Sequence, residues 1–205
     1  MNAYIIGKDK NCISFLENVK LTSFDKADVY IFYGIGDVHD NLRDGSNIEG
    51  KYDVRSENLM KRVFSKISPD KICIGIGKGA QLLNVLNGGS LLEIVCHNDV
   101  IPHVTNFIDE KQIEDYLFWT NSFHNKVMYP WDLDSNDWKL LAYSRDGYVR
   151  GFGINDAATG IFPEVIDYHL EGKPRCLCIQ PNPELTPNTA VAEHLNKLIN
   201  NYVSR

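Results

Sequence analysis

Short continuous apolar runs alternate with helical spacings along the first half of the chain. Two nearly uninterrupted apolar runs, Ala27–Gly36 and Ile72–Ile76, lead into glycines, as strands buried on both faces of a sheet often do before a sharp turn. Between them, apolar residues three and four positions apart predict a helix over Ser56–Ile67. A second helical pattern covers Gly77–Leu86 and ends at Asn-Gly-Gly. The order strand, helix, strand, helix predicts βαβ units and a mostly parallel sheet.

The remaining segments carry weaker patterns. They predict a first strand over Ala3–Gly7, a first helix over Ile13–Val19, a polar surface loop over His39–Asp53, a hairpin of Trp138–Tyr143 and Tyr148–Ile154 around an Asp-Gly turn, a last strand over Arg175–Gln180 and a closing helix over Asn188–Tyr202. Because no repeat, linker or charge block divides the chain, we expect residues 1–205 to form a single domain.

Composition narrows the class of protein. With 205 residues, 43% of them hydrophobic, the chain can bury a sizeable core. A net charge of −6 argues against a nucleic-acid binder, and the apolar runs are too short to span a membrane. The N-terminus lacks the basic and long apolar regions of a signal peptide. The five scattered cysteines favour a reduced, cytoplasmic protein; they are Cys12, Cys73, Cys96, Cys176 and Cys178. No cluster has metal-ligand spacing, so neither a metal nor another cofactor is expected.

The glycine turn Gly75–Gly79 lies between a buried strand and a helix, and three interpretations are open. It could be a tight connection only. It could bind a nucleotide phosphate, because N–H groups and the dipole at a helix N-terminus attract anions. Its Gly-x-Gly-x-Gly spacing, however, departs from the dinucleotide fingerprint Gly-x-Gly-x-x-Gly. It could also be a nucleophile elbow, a strained turn that presents one side chain above the sheet.

The elbow interpretation is strengthened by other segments that resemble one family in order and spacing. Ile74–Leu91 resembles the pattern GICRG-Q-LNV--GG-L, Asp28–His39 a strand and GGGDV-P loop, Val54–Leu59 the start RD-E of a helix, Asn121–His124 the segment NS-HH, Asp146–Arg150 the segment DG-IE and Ile179–Glu184 the segment VQFHPE. The ordered set is similar to the class I glutamine amidotransferase-like superfamily, in its γ-glutamyl hydrolase and γ-glutamyl-GABA hydrolase branch. This resemblance implies an α/β fold: a flavodoxin-like three-layer sandwich with a mostly parallel central sheet.

The chain departs from that family at two of three catalytic positions. In the family, a cysteine in the elbow attacks a γ-glutamyl amide, and the histidine of His-Pro-Glu activates it while the glutamate orients the histidine. The resemblance places Gly77 at the cysteine position and Asn182 at the histidine position, and retains only Glu184. Glycine has no side chain that can attack, and an asparagine amide cannot cycle a proton near neutral pH.

Further candidate ligand-binding residues follow from the same resemblance. They are Gly34, Ile35 and Gly36 in the glycine loop, Lys78 and Gln81 in the elbow helix, and Ser122 and His124 in the Asn-Ser-Phe-His segment. Ile35 replaces a loop glycine, so its side chain is expected to narrow the pocket or to alter an oxyanion hole. For Gln81 a substrate-positioning role and a plain helix-surface or capping role remain open. His124 is either a pocket residue or an ordinary buried or exposed histidine.

The sequence thus predicts a catalytically inactive protein of this type, which binds a small γ-glutamyl or carboxylate ligand or a protein partner. The alternative is an active γ-glutamyl amide hydrolase or glutamine amidotransferase that uses another nucleophile. Ser122 beside His124, Cys73 and Cys96 are the candidates for it. A nucleotide-binding protein that uses the Gly75–Gly79 turn is the third possibility.

Overall fold

Twelve strands and three α-helices form in the part of the chain that the computed structural model describes, residues 1–7, 10–38, 54–95, 103–108, 116–121, 124–145, 148–149 and 161–204. The strands are β1 (Asn2–Ile6), β2 (Lys20–Leu21), β3 (Val29–Gly34), β4 (Ile72–Gly77), β5 (Ser90–Val95), β6 (His103–Phe107), β7 (Tyr116–Thr120), β8 (Lys126–Tyr129), β9 (Trp138–Ser144), β10 (Tyr148–Val149), β11 (Phe162–Tyr168) and β12 (Arg175–Ile179). The helices are α1 (Val54–Phe64), α2 (Lys78–Asn87) and α3 (Ala190–Val203). Short 3-10 helices cover Lys10–Ile13, Phe24–Lys26 and Pro183–Leu185.

Nine strands form one mixed sheet in the order β2-β1-β3-β4-β12-β11-β9-β6-β7. The first five run parallel, and the last four continue the sheet with antiparallel pairings. A second sheet, in the order β10-β5-β8, contains three strands. In the parallel half, the C-terminal ends of β3, β4 and β12 lie side by side at the same end of the strands. Open α/β sheets have their ligand sites at this end.

Helices cover the nine-stranded sheet on both faces. Residues of α3 pack on one face against β3, β4 and β12, in a core that contains Ile31, Ile76, Leu177 and Leu195. On the other face α1 and α2 pack in a core that contains Phe32, Phe64 and Leu83. The inner strands β3 and β4 are buried on both faces, which explains their continuous apolar sequences. The predicted three-layer α/β sandwich is confirmed; that residues 1–205 form one domain stays a prediction.

Two sequence-based expectations about local structure are wrong. Residues Ile13–Val19 form no α-helix: the chain has a 3-10 turn that ends at Ile13, and Asn18 takes a φ of 58°. The apolar side chains of this short segment pack on the α3 face of the core without a helix. The expected hairpin also fails, because β9 pairs with β11 and β6, whereas β10 pairs with β5 in the small sheet. Nonlocal pairing overrides the local turn signal.

The predicted loop His39–Asp53 and the Asp146-Gly147 turn lie outside the described residues. Among the helices that are described, none combines the length and apolar character needed to cross a membrane.

Candidate functional site

Gly77 forms the sharp turn between β4 and α2. It is the last residue of β4 and takes φ 57° and ψ −120° directly before the helix begins at Lys78. Such a backbone conformation costs a residue with a β-carbon about 1–3 kcal/mol. Gly34, the last residue of β3, is its register partner in the sheet. The elbow-type turn therefore lies at the C-terminal end of the parallel strands, beside the glycine loop.

The side chain of Asn182 and the carbonyl of Gly34 fill the space above Gly77. A β-carbon on Gly77 would lie 2.6 Å from Nδ2 and 2.9 Å from Oδ1 of Asn182, and 2.5 Å from the Gly34 oxygen. These separations are shorter than real β-carbon contacts. The structure thus brings together the two residues that stand at the predicted nucleophile and base positions, and it packs one against the other.

Asn182 is held in place from two sides. Its Nδ2 donates to Oε1 of Glu184 at 2.9 Å. Asn121 clamps its backbone, since Asn121 Nδ2 donates to the Asn182 carbonyl at 2.7 Å and Asn121 Oδ1 accepts from the Asn182 N–H at 2.8 Å. Only 3% of Asn182 is exposed. Glu184 is therefore a hydrogen-bond acceptor for an amide in the place where the family has an imidazole.

The glycine loop presents an acceptor to the elbow. The Gly34 carbonyl oxygen lies 2.5 Å from the position that a β-carbon on Gly77 would take. Ile35 is 53% exposed to solvent, and a role for it in narrowing the pocket stays a prediction. Lys78 is buried beneath the loop, and its Nζ lies 2.5 Å from Oε1 of Glu57, which is also buried. The lysine ammonium therefore pairs with a carboxylate from α1.

Gln81 is a buried connector between the elbow helix and the glycine loop. Its Nε2 donates to Oδ1 of Asp37 at 2.7 Å and to the Lys126 carbonyl at 3.0 Å, and its Oε1 accepts from the N–H of Val38 at 2.9 Å. Both amide protons are used within the protein, which supports a structural role for this residue. Its burial is at odds with a helix-surface position.

Asp37, which sequence analysis did not single out, lies at the centre of this arrangement. Besides the Gln81 amide, its carboxylate accepts from the backbone N–H groups of Asn125 and Lys126 at 2.8 and 3.1 Å, and from the Asn125 side chain at 3.2 Å. The Lys126 ammonium donates to the Val38 carbonyl at 2.9 Å. A buried aspartate with four donors fixes the loop that carries Gly34. Its position in the GGGDV-like segment is the sequence signal that could have found it.

His124 is buried close to the hydrogen bonds around Asp37. Its Nδ1 donates to the Lys126 carbonyl at 2.9 Å, and its ring lies 6.4 Å from that of His103. Burial lowers the pKa of His124, and this outweighs the nearby carboxylates of Glu164 and Asp37, so the ring is neutral near pH 7. Ser122, its expected partner, lies outside the described residues.

Glu164, His103 and Ser144 form a second polar cluster, which sequence analysis missed. Oε1 of this buried carboxylate lies 2.7 Å from Nε2 of His103 and accepts from the Ser144 hydroxyl at 2.8 Å. Burial would raise the pKa of Glu164, but the charge and hydrogen bond of His103 outweigh it, and the pKa falls below its ordinary value. A β-bulge at Glu164 turns its side chain towards these partners.

Of the other candidate nucleophiles, only Cys73 belongs to the described residues, and it lies inside β4 rather than at the elbow. Cys73 is fully buried in β4, and burial raises its pKa, as does its contact with Cys176. A thiol in such surroundings is unreactive. Cys96 lies outside the described residues. Within the described ranges, no group of three or more histidine, cysteine or acidic residues could hold a metal ion.

Comparison with known proteins identifies the fold. No protein-family model and no curated protein sequence matches the chain. A protein from Thermoplasma acidophilum, provisionally assigned as a GMP synthase subunit, matches over 100% of this chain and 92% of its own, with 12% identity and a TM-score of 0.60. A glutamine amidotransferase from Thermotoga maritima matches over 97% and 92%, with 10% identity and a TM-score of 0.50. The chain therefore has a class I glutamine amidotransferase-like fold.

Proposed function

We propose that this chain is a γ-glutamyl hydrolase-type protein without catalytic activity, which works by binding. The packing of Asn182 onto Gly77 is the observation that carries the proposal. Covalent amide hydrolysis needs a nucleophile at the elbow, a titratable base beside it and donors for the oxyanion. At the first two places the chain has a glycine and an asparagine amide, and the Gly34 carbonyl oxygen lies against the elbow.

A ligand or partner would bind around the elbow rather than inside it. The Asn182 side chain occupies the space directly above Gly77, and Ile35 and Leu185, close in sequence to Gly34 and Asn182, expose apolar surface. This favours a small γ-glutamyl or carboxylate compound on the rim, or a protein partner. The Gly75–Gly79 turn is a poorer phosphate site, since the Lys78 ammonium is paired with Glu57. We expect the protein to act in the cytoplasm, which agrees with four buried cysteine thiols.

Release of glutamate or ammonia from L-glutamine and from γ-glutamyl amines tests the proposal. We expect no turnover above the rate of a buffer blank. Turnover that is lost in a Ser122→Ala or a Cys96→Ala variant would contradict it and support the alternative of an active hydrolase. A matched thermal-shift series with glutamate, glutamine and γ-glutamyl amines tests the small-ligand arm, because a compound that binds only the folded chain raises its melting temperature.

The double variant Gly77→Cys with Asn182→His tests why the chain is inactive. We expect it to stay inactive, since the Gly34 carbonyl still lies 2.5 Å from the β-carbon position. Activity in the double variant alone would mean that the two substitutions are the whole cause, and that the glycine loop can move aside.

A further inference from the structure

The two edges of the nine-stranded sheet differ in length and in chemistry. At one edge β2 has two residues, Lys20 and Leu21, and so offers a short edge that carries a charge. At the other edge β7 has five residues, Tyr-Leu-Phe-Trp-Thr, without a charge or a proline. Natural sheets protect their edges with short strands, charges and prolines. Strand β2 has such protection, whereas the sequence of β7 provides none.

Strand β7 also carries the two most exposed large apolar side chains among the described residues. Leu117 is 64% exposed and Trp119 is 69% exposed. Both point away from the sheet face on which Phe118 packs against Phe107 of β6 and His194 of α3. An exposed leucine and tryptophan side by side on such an edge strand are typical of a protein interface.

We infer that β7 pairs antiparallel with β7 of a second copy of this chain and joins the two sheets into one. The strand is self-complementary in this arrangement. If the two-fold axis passes beside Phe118, Leu117 of each copy lies opposite Trp119 of the other, on the same face of the sheet. Directly opposite residues in antiparallel strands have β-carbons about 4.5–5.5 Å apart, so the aromatic ring covers the leucine in both pairs.

Charge favours a second copy as the occupant. The chain carries a net charge of −6, so two copies repel each other at long range. Strands β6 and β7 contain no acidic residue and no lysine or arginine. Two copies can therefore pair along β7 without placing like charges opposite each other within the strands, as an interface between identical surfaces requires.

Paired charge substitutions test both the dimer and its register. Sedimentation equilibrium of the full chain should show a reversible dimer, which Trp119→Lys and Leu117→Glu each weaken by about tenfold or more, since each places two unpaired charges in the interface. An equimolar mixture of the two variants should dimerise more tightly than either alone. In the mixed dimer one Leu–Trp contact remains and the other becomes a Lys–Glu pair.

The matched control is Leu21→Lys at the opposite edge, which should leave the dimer unchanged. Circular dichroism melting curves should show that the exposed substitutions keep the fold. A wild-type chain that stays monomeric at every concentration, a dimer insensitive to both β7 substitutions, or a mixture no tighter than its components would each overturn the proposal. A different protein bound at β7 would produce the first of these results.

Discussion

The side-chain amide of Asn182 lies within 2.9 Å of the place where a β-carbon on Gly77 would be. The two residues are 105 positions apart in the sequence, at the ends of adjacent parallel strands. Asn182 cannot move away freely, because Glu184 holds its side chain and Asn121 holds its backbone. A residue at position 77 larger than glycine therefore meets a fixed neighbour.

Gly77→Ala should reduce the free energy of unfolding by about 2–5 kcal/mol. About 1–3 kcal/mol of this comes from the φ of 57°, and the rest from overlap with Asn182 and Gly34. Urea unfolding followed by circular dichroism measures it. The matched control is Gly172→Ala, because Gly172 has a φ of 75° and open space around its β-carbon position. Equal losses in the two variants would mean that overlap at Gly77 contributes nothing.

The buried ion pair of Lys78 and Glu57 should tolerate the loss of one partner poorly. Glu57→Gln leaves the lysine ammonium without its counter-charge and should cost about 3–5 kcal/mol. The double variant Glu57→Gln with Lys78→Met should be more stable than Glu57→Gln alone, since it removes the uncompensated charge. Unfolding curves of the wild type and of these two variants measure both losses. A double variant less stable than the single one would contradict this account of the pair.

Asp37 should hold the glycine loop in place. Asp37→Ala leaves four donors from Gln81, Asn125 and Lys126 without their acceptor, so we expect a loss of about 2–4 kcal/mol. Hydrogen exchange at the Val38 amide, which donates to Gln81, should become faster. Asp25→Ala, at an exposed position in a surface turn, is the control and should change neither measurement.

Burial of neutral His124 should make the protein less stable in mild acid. Its folded pKa lies below the ordinary value of 6.5, so the unfolded chain binds the proton first as the pH falls. Stability is thus unaffected above that value and decreases below it, by at most about 1.4 kcal/mol per pH unit. The folded pKa of Glu164 also lies below its ordinary value, which is 4.5. Protonation of this carboxylate therefore lowers the stability too, but only at pH values below 4.5.

Unfolding curves between about pH 7.5 and pH 5.5 measure the effect of His124. His124→Gln should show a flatter pH dependence than the wild type, because the other histidines are the same in both proteins. Parallel pH profiles would mean that His124 has the same pKa in the folded and unfolded chain.

The parallel half of the fold was predictable because its signals are local. The apolar runs that become β3 and β4 lie next to their helices, and the glycine turn marks where α2 begins. The antiparallel half gave no such signal, because β9 pairs with a strand beyond a long intervening segment. An Asp-Gly dipeptide between two apolar runs predicts a hairpin, yet β9 pairs with β11 on one side and with β6 on the other.

The sequence predicted which residues belong to the candidate site better than it predicted the hydrogen bonds that they make. The elbow and the Asn182 segment follow from motif order alone. The hydrogen bond between His103 and Glu164 joins residues 61 positions apart, and neither belongs to a motif. Gln81 was predicted as a site residue, but only the structure gives its three partners.

The filled space between Gly77 and Asn182 also limits how this sequence can change. A cysteine at position 77 would meet the asparagine amide, and a histidine at position 182 would bring a larger ring to a place that Glu184 and Asn121 already enclose. Each substitution alone is opposed by the neighbour that remains. A chain that carries this pair would need both changes together to place a cysteine and a histidine here, so the packed elbow resists stepwise substitution.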